Sequence, residues 1–205
     1  MTEAAKPTAL ETPLDRRVAS PGQTPLKVRV VTLGVLAVAV VTLWTFSVPG
    51  TYFLVLILLP WIWGIAFGVW LALVAPYSLA KGRRAALRNR WVAAGAAFAI
   101  ATLVAIALWL PLRVRFELSR GPMEALAAEL ARPDAPKMIE KKVVGLFDAE
   151  WIEPFDGGYR FLIEGTGFLN PYGFAYSPNG PPPDIGGEDY YEHFSGPWWI
   201  WEEDW

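Results

Sequence analysis

The chain has 205 residues, 54% of them hydrophobic, a mean hydropathy of +0.30 and no cysteine. This excludes disulfides, thiolate catalysis and Cys-ligated zinc, and the chain is too apolar for an ordinary soluble domain of its size. The formal net charge of −2 hides a split: residues 1–112 hold ten basic and three acidic residues, residues 113–205 eight and seventeen. So acidic a second half repels phosphate backbones and excludes nucleic acid as a partner.

Residues 1–27 are rich in Pro, Ala, Thr and Glu, lack any apolar period and read as a disordered tail. Three uncharged runs follow: Val30–Val48, Tyr52–Ala80 and Trp91–Leu112. A bilayer core of about 30 Å needs about 20 helical residues, and each run meets that length. Residues 28–112 are therefore expected to form three transmembrane helices. The first, set behind a long polar tail, reads as a retained helix and not a cleaved leader. The second is long; it tilts, kinks at Pro60, or ends before Pro76 and continues along the interface.

Basic residues set the expected orientation. The tail carries Lys6, Arg16, Arg17, Lys27 and Arg29, and the loop after the second run carries Lys81, Arg83, Arg84, Arg88 and Arg90. The Ser47–Thr51 connection carries none. Tail and basic loop belong on the cytoplasmic side, which places residues 113–205 outside. Arg113 and Arg115 oppose the rule but are outvoted. Trp44, Trp91 and Trp109 sit near run ends, where an indole can keep its N–H at the headgroups.

No ionisable residue interrupts the runs, which argues against an ion path or proton relay. Gly64 and Gly68 form a GxxxG pair on the second run, and Ala93, Ala97 and Ala101 a small-residue stripe on the third. Both suit close helix packing, either within the chain or in a homo-oligomer or a complex with a partner.

Residues 113–205 read as an extracytoplasmic domain. Ser119–Ala131 has Pro122 suited to a first helical turn, and Met123, Leu126, Ala127 and Leu130 on one face; Pro133 and Pro136 end it. From Lys142 the pattern becomes strand-like. Asp156-Gly157-Gly158 marks a hairpin between VVGLFDAEWIEPF and YRFLIEGTGF. GFAY, YYEHF and WWIWEEDW supply further strands, with turns at Ser177–Gly180 and Ser195–Pro197. The expected fold class is α+β: three N-terminal transmembrane helices, then one amphipathic helix and a mainly antiparallel sheet of four to six strands.

Candidate chemistry is sparse. His193, the sole histidine, would need Ser177 or Ser195 and an orienting acid for nucleophilic work, and reads more simply as a strand-face residue. Gly165-Thr166-Gly167 resembles a piece of a phosphate loop, but no Lys-Ser/Thr follows, so it reads as a turn. Asp184, Glu188 and Asp189 could offer oxygens to Ca²⁺ but lack EF-hand spacing and read as a solvated acidic loop. The densest feature is aromatic: Tyr190, Tyr191, Trp198, Trp199, Trp201 and Trp205. In a strand Trp199, Trp201 and Trp205 share one face, and Trp198 and Ile200 the other. They serve either as core or, where a face is exposed, as a binding surface.

The run TGFLNPYGFAYSPNGPPPDIGGEDYYEHFSGPWWIWEEDW, together with RFELSRGPMEALAAEL, resembles the C-terminal ends of small uncharacterised membrane proteins of actinobacteria. The resemblance implies location and class and brings no activity. The expected protein is a non-enzymatic membrane protein with no cofactor or metal. Its external domain binds another envelope protein; the alternative is a ligand or glycan receptor, with a hydrolase or transporter accessory subunit behind both.

Overall fold

A computed structural model describes residues 26–82, 89–167, 170–183 and 189–203. Among these residues it has four helices, then six strands: α1 (Leu26–Thr45), α2 (Phe53–Lys81), α3 (Arg90–Ala107), α4 (Leu110–Leu130), β1 (Ile139–Val144), β2 (Phe147–Phe155), β3 (Gly158–Ile163), β4 (Tyr172–Tyr176), β5 (Asp189–Ser195) and β6 (Trp198–Glu203). The α+β class is as expected. Nearly all of the 1–27 tail lies outside the described residues, as do most of the basic loop, Asp184, Glu188 and Trp205; Leu26 and Lys27 already belong to α1.

Three helices are long and apolar enough to cross a membrane: Leu26–Thr45, Phe53–Pro76 and Arg90–Ala107. Helix α1 is central and packs on both α2 and α3. Its buried stripe is Val28, Thr32, Val35, Ala39, Thr42 and Thr45. Three of these are threonines, and each returns its hydroxyl to a carbonyl four residues back: Thr32 to Val28, Thr42 to Val38 and Thr45 to Val41. That satisfies the hydroxyl without water and leaves a small surface for neighbours. Trp63 Nε1 donates to Thr42 Oγ1 at 2.9 Å and ties α2 to α1. Helix α2 runs unbroken through Pro60 and Pro76, so it does not stop before Pro76.

The small residues that pack within the chain are not Gly64, Gly68 or the α3 alanine stripe. A Cβ added at Gly64 or Gly68 would meet nothing within 4 Å, so neither glycine brings these helices together. On α3 the Ala93, Ala97 and Ala101 stripe is exposed; the buried positions are Val92, Gly95 and Thr102. Gly95 is the close approach, where a Cβ would lie 3.1 Å from Trp70 Nε1 and 3.7 Å from Thr32 Cγ2.

The third run is two helices, not one. Pro111 has no N–H to continue an α-helix from α3. The chain breaks at Leu108, Trp109 adopts the left-handed conformation (φ 57°), and α4 restarts with Pro111 in its first turn, where the missing N–H costs nothing. Helix α4 thus begins well before Ser119, and Pro122 lies in its interior and not in a first turn. The apolar face of Met123, Leu126, Ala127 and Leu130 is present and extends back through Ser119, Phe116 and Leu112.

The strands form one antiparallel sheet in the order β1-β2-β3-β4-β6-β5. The Asp156–Gly158 and Ser195–Pro197 hairpins are where the sequence put them. VVGLF, expected as one strand, contains a further turn at Gly145-Leu146. Helix α4 covers one face of the sheet, and Phe116 and Met123 share a core with Phe147, Phe161, Phe174 and Trp198, all 0–1% exposed. Fully burying each such side chain contributes roughly 1.5–3 kcal/mol. Phe116 meets Phe174, Phe194 and Trp198 at ring centroid distances of 5.0–5.7 Å, tilted or edge-on as aromatic quadrupoles prefer.

Candidate binding sites of the sheet domain

The domain has no linker to the bundle. Val48, in the α1–α2 connection, is 2% exposed within the domain's own core, and Tyr52 packs against that core. Gly50 sits on the Tyr172 ring at φ 65°, where any Cβ would collide with ring carbons. The Gly165-Thr166-Gly167 segment is the matching turn. Thr166 pairs with Tyr52, its Oγ1 donates to the Ile163 carbonyl (2.7 Å), and Gly167 N donates to the Thr51 carbonyl (3.2 Å).

Arg115 bolts the same junction from the other side. Its Nε donates to the Leu146 carbonyl (3.0 Å), its Nη1 to Ser47 Oγ (2.9 Å) and Tyr52 Oη (3.4 Å), and its guanidinium lies 4.7 Å from the Phe147 ring centroid. Leu146 N in turn donates to Ser119 Oγ (2.9 Å). The signal that could have found Arg115 was its departure from the charge rule in the expected orientation.

The sheet face away from α4 carries the second aromatic set. Trp201 is fully buried there with Leu162 and Ala175, and the half-buried Trp151, Phe155, Tyr191 and Trp199 pack around it. Register makes room for the indoles: Trp201 pairs with Gly173 and Trp199 with Ala175 on β4. A polar cluster fixes them. Asp189 accepts from Trp201 Nε1 (2.8 Å), Arg160 Nη1 (2.7 Å) and Tyr191 Oη (3.4 Å). Arg160 also pairs with Glu153 (2.7 Å) and lies 4.8 Å from the Trp201 ring centroid. Burial pushes the Tyr191 phenol up to about 12; Arg160 opposes that shift and Asp189 adds to it.

A cavity of about 430 Å³ lies on the other face, beside α4, where the sheet meets the ends of the spans. Phe46, Val48 and Pro49 line it from the α1–α2 connection, Ile106, Trp109 and Leu112 from the α3–α4 break, and Tyr172, Tyr190, Glu192, Ile200 and Glu202 from the sheet. Glu202 accepts from Asn170 Nδ2 (3.0 Å) and from the Tyr172 phenol. Burial raises that phenol to about 12, with the hydrogen bond to Glu202 and its charge acting in the same direction. The phenol therefore stays a donor to Glu202.

The aromatic residues singled out in the sequence are thus divided. Trp198 is core under α4 and Trp201 is core on the opposite face, both 0% exposed, so neither indole is itself a contact surface. Tyr191 and Trp199 are half-buried on the uncovered face, and Tyr190 is 65% exposed beside the cavity. His193 Nε2 donates to the Gly196 carbonyl (3.0 Å) and the ring stands edge-on to Trp199, while Ser195 Oγ accepts from Arg120. No hydrogen bond joins His193 to Ser177 or Ser195 among the described residues. Asp189, expected in a solvated acidic loop, is instead the acceptor at the centre of the Arg160 cluster. Comparison with protein-family models, with curated proteins and with solved structures finds no match to this chain.

Proposed function

We propose that the chain is a multi-pass protein of the cell envelope that holds its sheet domain outside the cytoplasm to recognise another envelope protein. The charge pattern supports the orientation. Lys27, Arg29 and Arg90 belong to one end of the bundle, where Val28, Val74 and Val92 cluster, and the domain is joined to the other. The observation that carries the recognition role is the uncovered sheet face, where Trp151, Phe155, Tyr191 and Trp199 leave part of their rings accessible. Their positions are fixed by the Arg160–Asp189 cluster and, through Arg115 and Val48, relative to the membrane. Rigid, half-exposed aromatics are what binding hot spots use. A photoreactive residue placed at 155 or 199 in native membranes tests this. Capture of one envelope protein from both positions is expected, with capture from 155 lost on Trp199→Ala; no adduct at either position overturns it.

A second reading, ligand reception, is favoured by the cavity, which combines apolar walls with two carboxylates at its edge. It uses the opposite face of the sheet, so the two readings fail independently.

A further inference from the structure

The cavity beside α4 has an origin that bears on its ligand. Its apolar wall is built from the last turns of the spans: Phe46 just after α1, Ile106 in the final turn of α3, and Trp109 at the break. The neighbouring Leu103 and Val104 are 69% and 51% exposed on a helix apolar enough to cross a membrane, and Leu108, just after it, is 57% exposed. These exposed apolar side chains lie beside the cavity's apolar wall on the side toward α3. The opposite wall is of another character. Glu192 is exposed, Glu202 is half-buried and held by Asn170 and Tyr172, and Tyr190 stands at the side with a ring suited to the headgroup layer. No ion pair to Glu192 or Glu202 occurs among the described residues.

An apolar wall that faces two carboxylates selects an amphiphile with a positive end. We propose that the cavity binds a lipid of the adjacent leaflet, with a chain against Ile106 and Trp109 and a terminal ammonium of the headgroup between Glu192 and Glu202. A basic peptide satisfies the carboxylates but not the apolar wall, and an anionic headgroup meets like charge. The proposal rests on the ligand-reception reading, and names its ligand class.

The test uses the full chain in phosphatidylglycerol nanodiscs doped with a trace of chain-diazirine lipid, either phosphatidylethanolamine or phosphatidylglycerol. Photolabelled positions are mapped by peptide mass spectrometry. The expected result is labelling at 106–112 favouring the amine-bearing probe by about fivefold, the size of about one partly exposed ion pair. Labelling at Ile65, midway along α2, should show no preference. Glu192→Gln with Glu202→Gln should abolish the preference and leave total labelling in place, and Ile106→Trp should lower labelling at 109–112. Glu192 is exposed, so Glu192→Gln alone is the variant that retains the fold, and it should reduce the preference by itself. Equal labelling by the two probes in the unaltered protein overturns the headgroup assignment. Labelling at 106–112 no stronger than at Ile65 means annular lipid only and overturns the site itself. Neither result touches the protein-recognition reading, which is probed at 155 and 199.

Discussion

The helix bundle and the sheet domain solve the same packing problem in different solvents. Among the described residues the bundle holds together largely with small surfaces: threonines bonded back to their own helix, the Trp63–Thr42 bond, Gly95 beneath Trp70, and a valine cluster flanked by Trp70 and Trp91. The domain holds together with large ones, since the largest buried side chains of its core are Trp, Phe and Met. In lipid, apolar area gains nothing by leaving the solvent, so close backbone approach and satisfied polar groups must do the work. In water, burying aromatic area is the main favourable term.

Substitutions that act on one region and spare the other can break this comparison. The largest effect belongs to Trp198→Ala, which empties the space among Phe116, Phe161 and Tyr176. It should destabilise the domain by about 3–5 kcal/mol. Near-ultraviolet circular dichroism should lose the domain's transition, while protease protection of the spans persists. Gly95→Leu should cost about 1–3 kcal/mol through overpacking against Trp70 and Thr32. Its signature is earlier thermal loss of helical signal in detergent with the domain's transition unchanged. Arg115→Leu removes the bolt between the regions and should cost about 1–2 kcal/mol. Hydrogen exchange should quicken at the Gly145–Leu146 turn and at residues 47–52, and not in β5 and β6.

A smaller effect concerns pH. The folded state raises the Tyr172 and Tyr191 phenols above their ordinary value of 10.0, to about 12 each. The stability tied to their neutral forms is fully present below about pH 10 and is lost as pH rises toward 12. Tyr191→Phe and Tyr172→Phe should each flatten the fall in melting temperature over that window, as followed by circular dichroism. The smallest expected effect is Gly64→Leu, within about 0.5 kcal/mol for the monomer fold because the added side chain meets open space. A large loss there would show that α2 packs on something beyond this chain.

Legibility from sequence followed how local each signal was. The spans, the Asp156–Gly158 hairpin and the Ser195–Pro197 hairpin are written in neighbouring residues, and reading them needed no partner. The Gly145-Leu146 turn was hidden because its flanks are apolar, so VVGLF reads as one buried strand. The break at Trp109 was hidden for a similar reason: Leu-Trp-Leu-Pro-Leu keeps an uninterrupted apolar run, and only the missing N–H of Pro111 marks the restart. The Gly64–Gly68 pair does not pack within this chain, because motif spacing does not say which face a helix turns inward. The junction was illegible altogether, since Tyr52–Thr166 and Ser47–Arg115 join segments far apart in the chain. The aromatic terminus reads as either core or surface. Trp198 and Trp201 are core on opposite faces of the sheet, while Tyr191 and Trp199 are half-buried and Tyr190 is exposed.

The placement of Val48 in the core has a consequence for biogenesis. A domain that takes one of its core residues from the connection between two spans cannot finish folding by itself after synthesis. Residues 113–205 alone would lack Val48, Tyr52 and Leu112, and would show a hole where the bundle should be. The α1–α2 connection must therefore be in place before the domain can mature, because Val48 completes its core. Helices that fail to assemble leave a domain with an open core, a natural mark for proteases. The chain carries its own check that the helix bundle is in place before the sheet domain is complete.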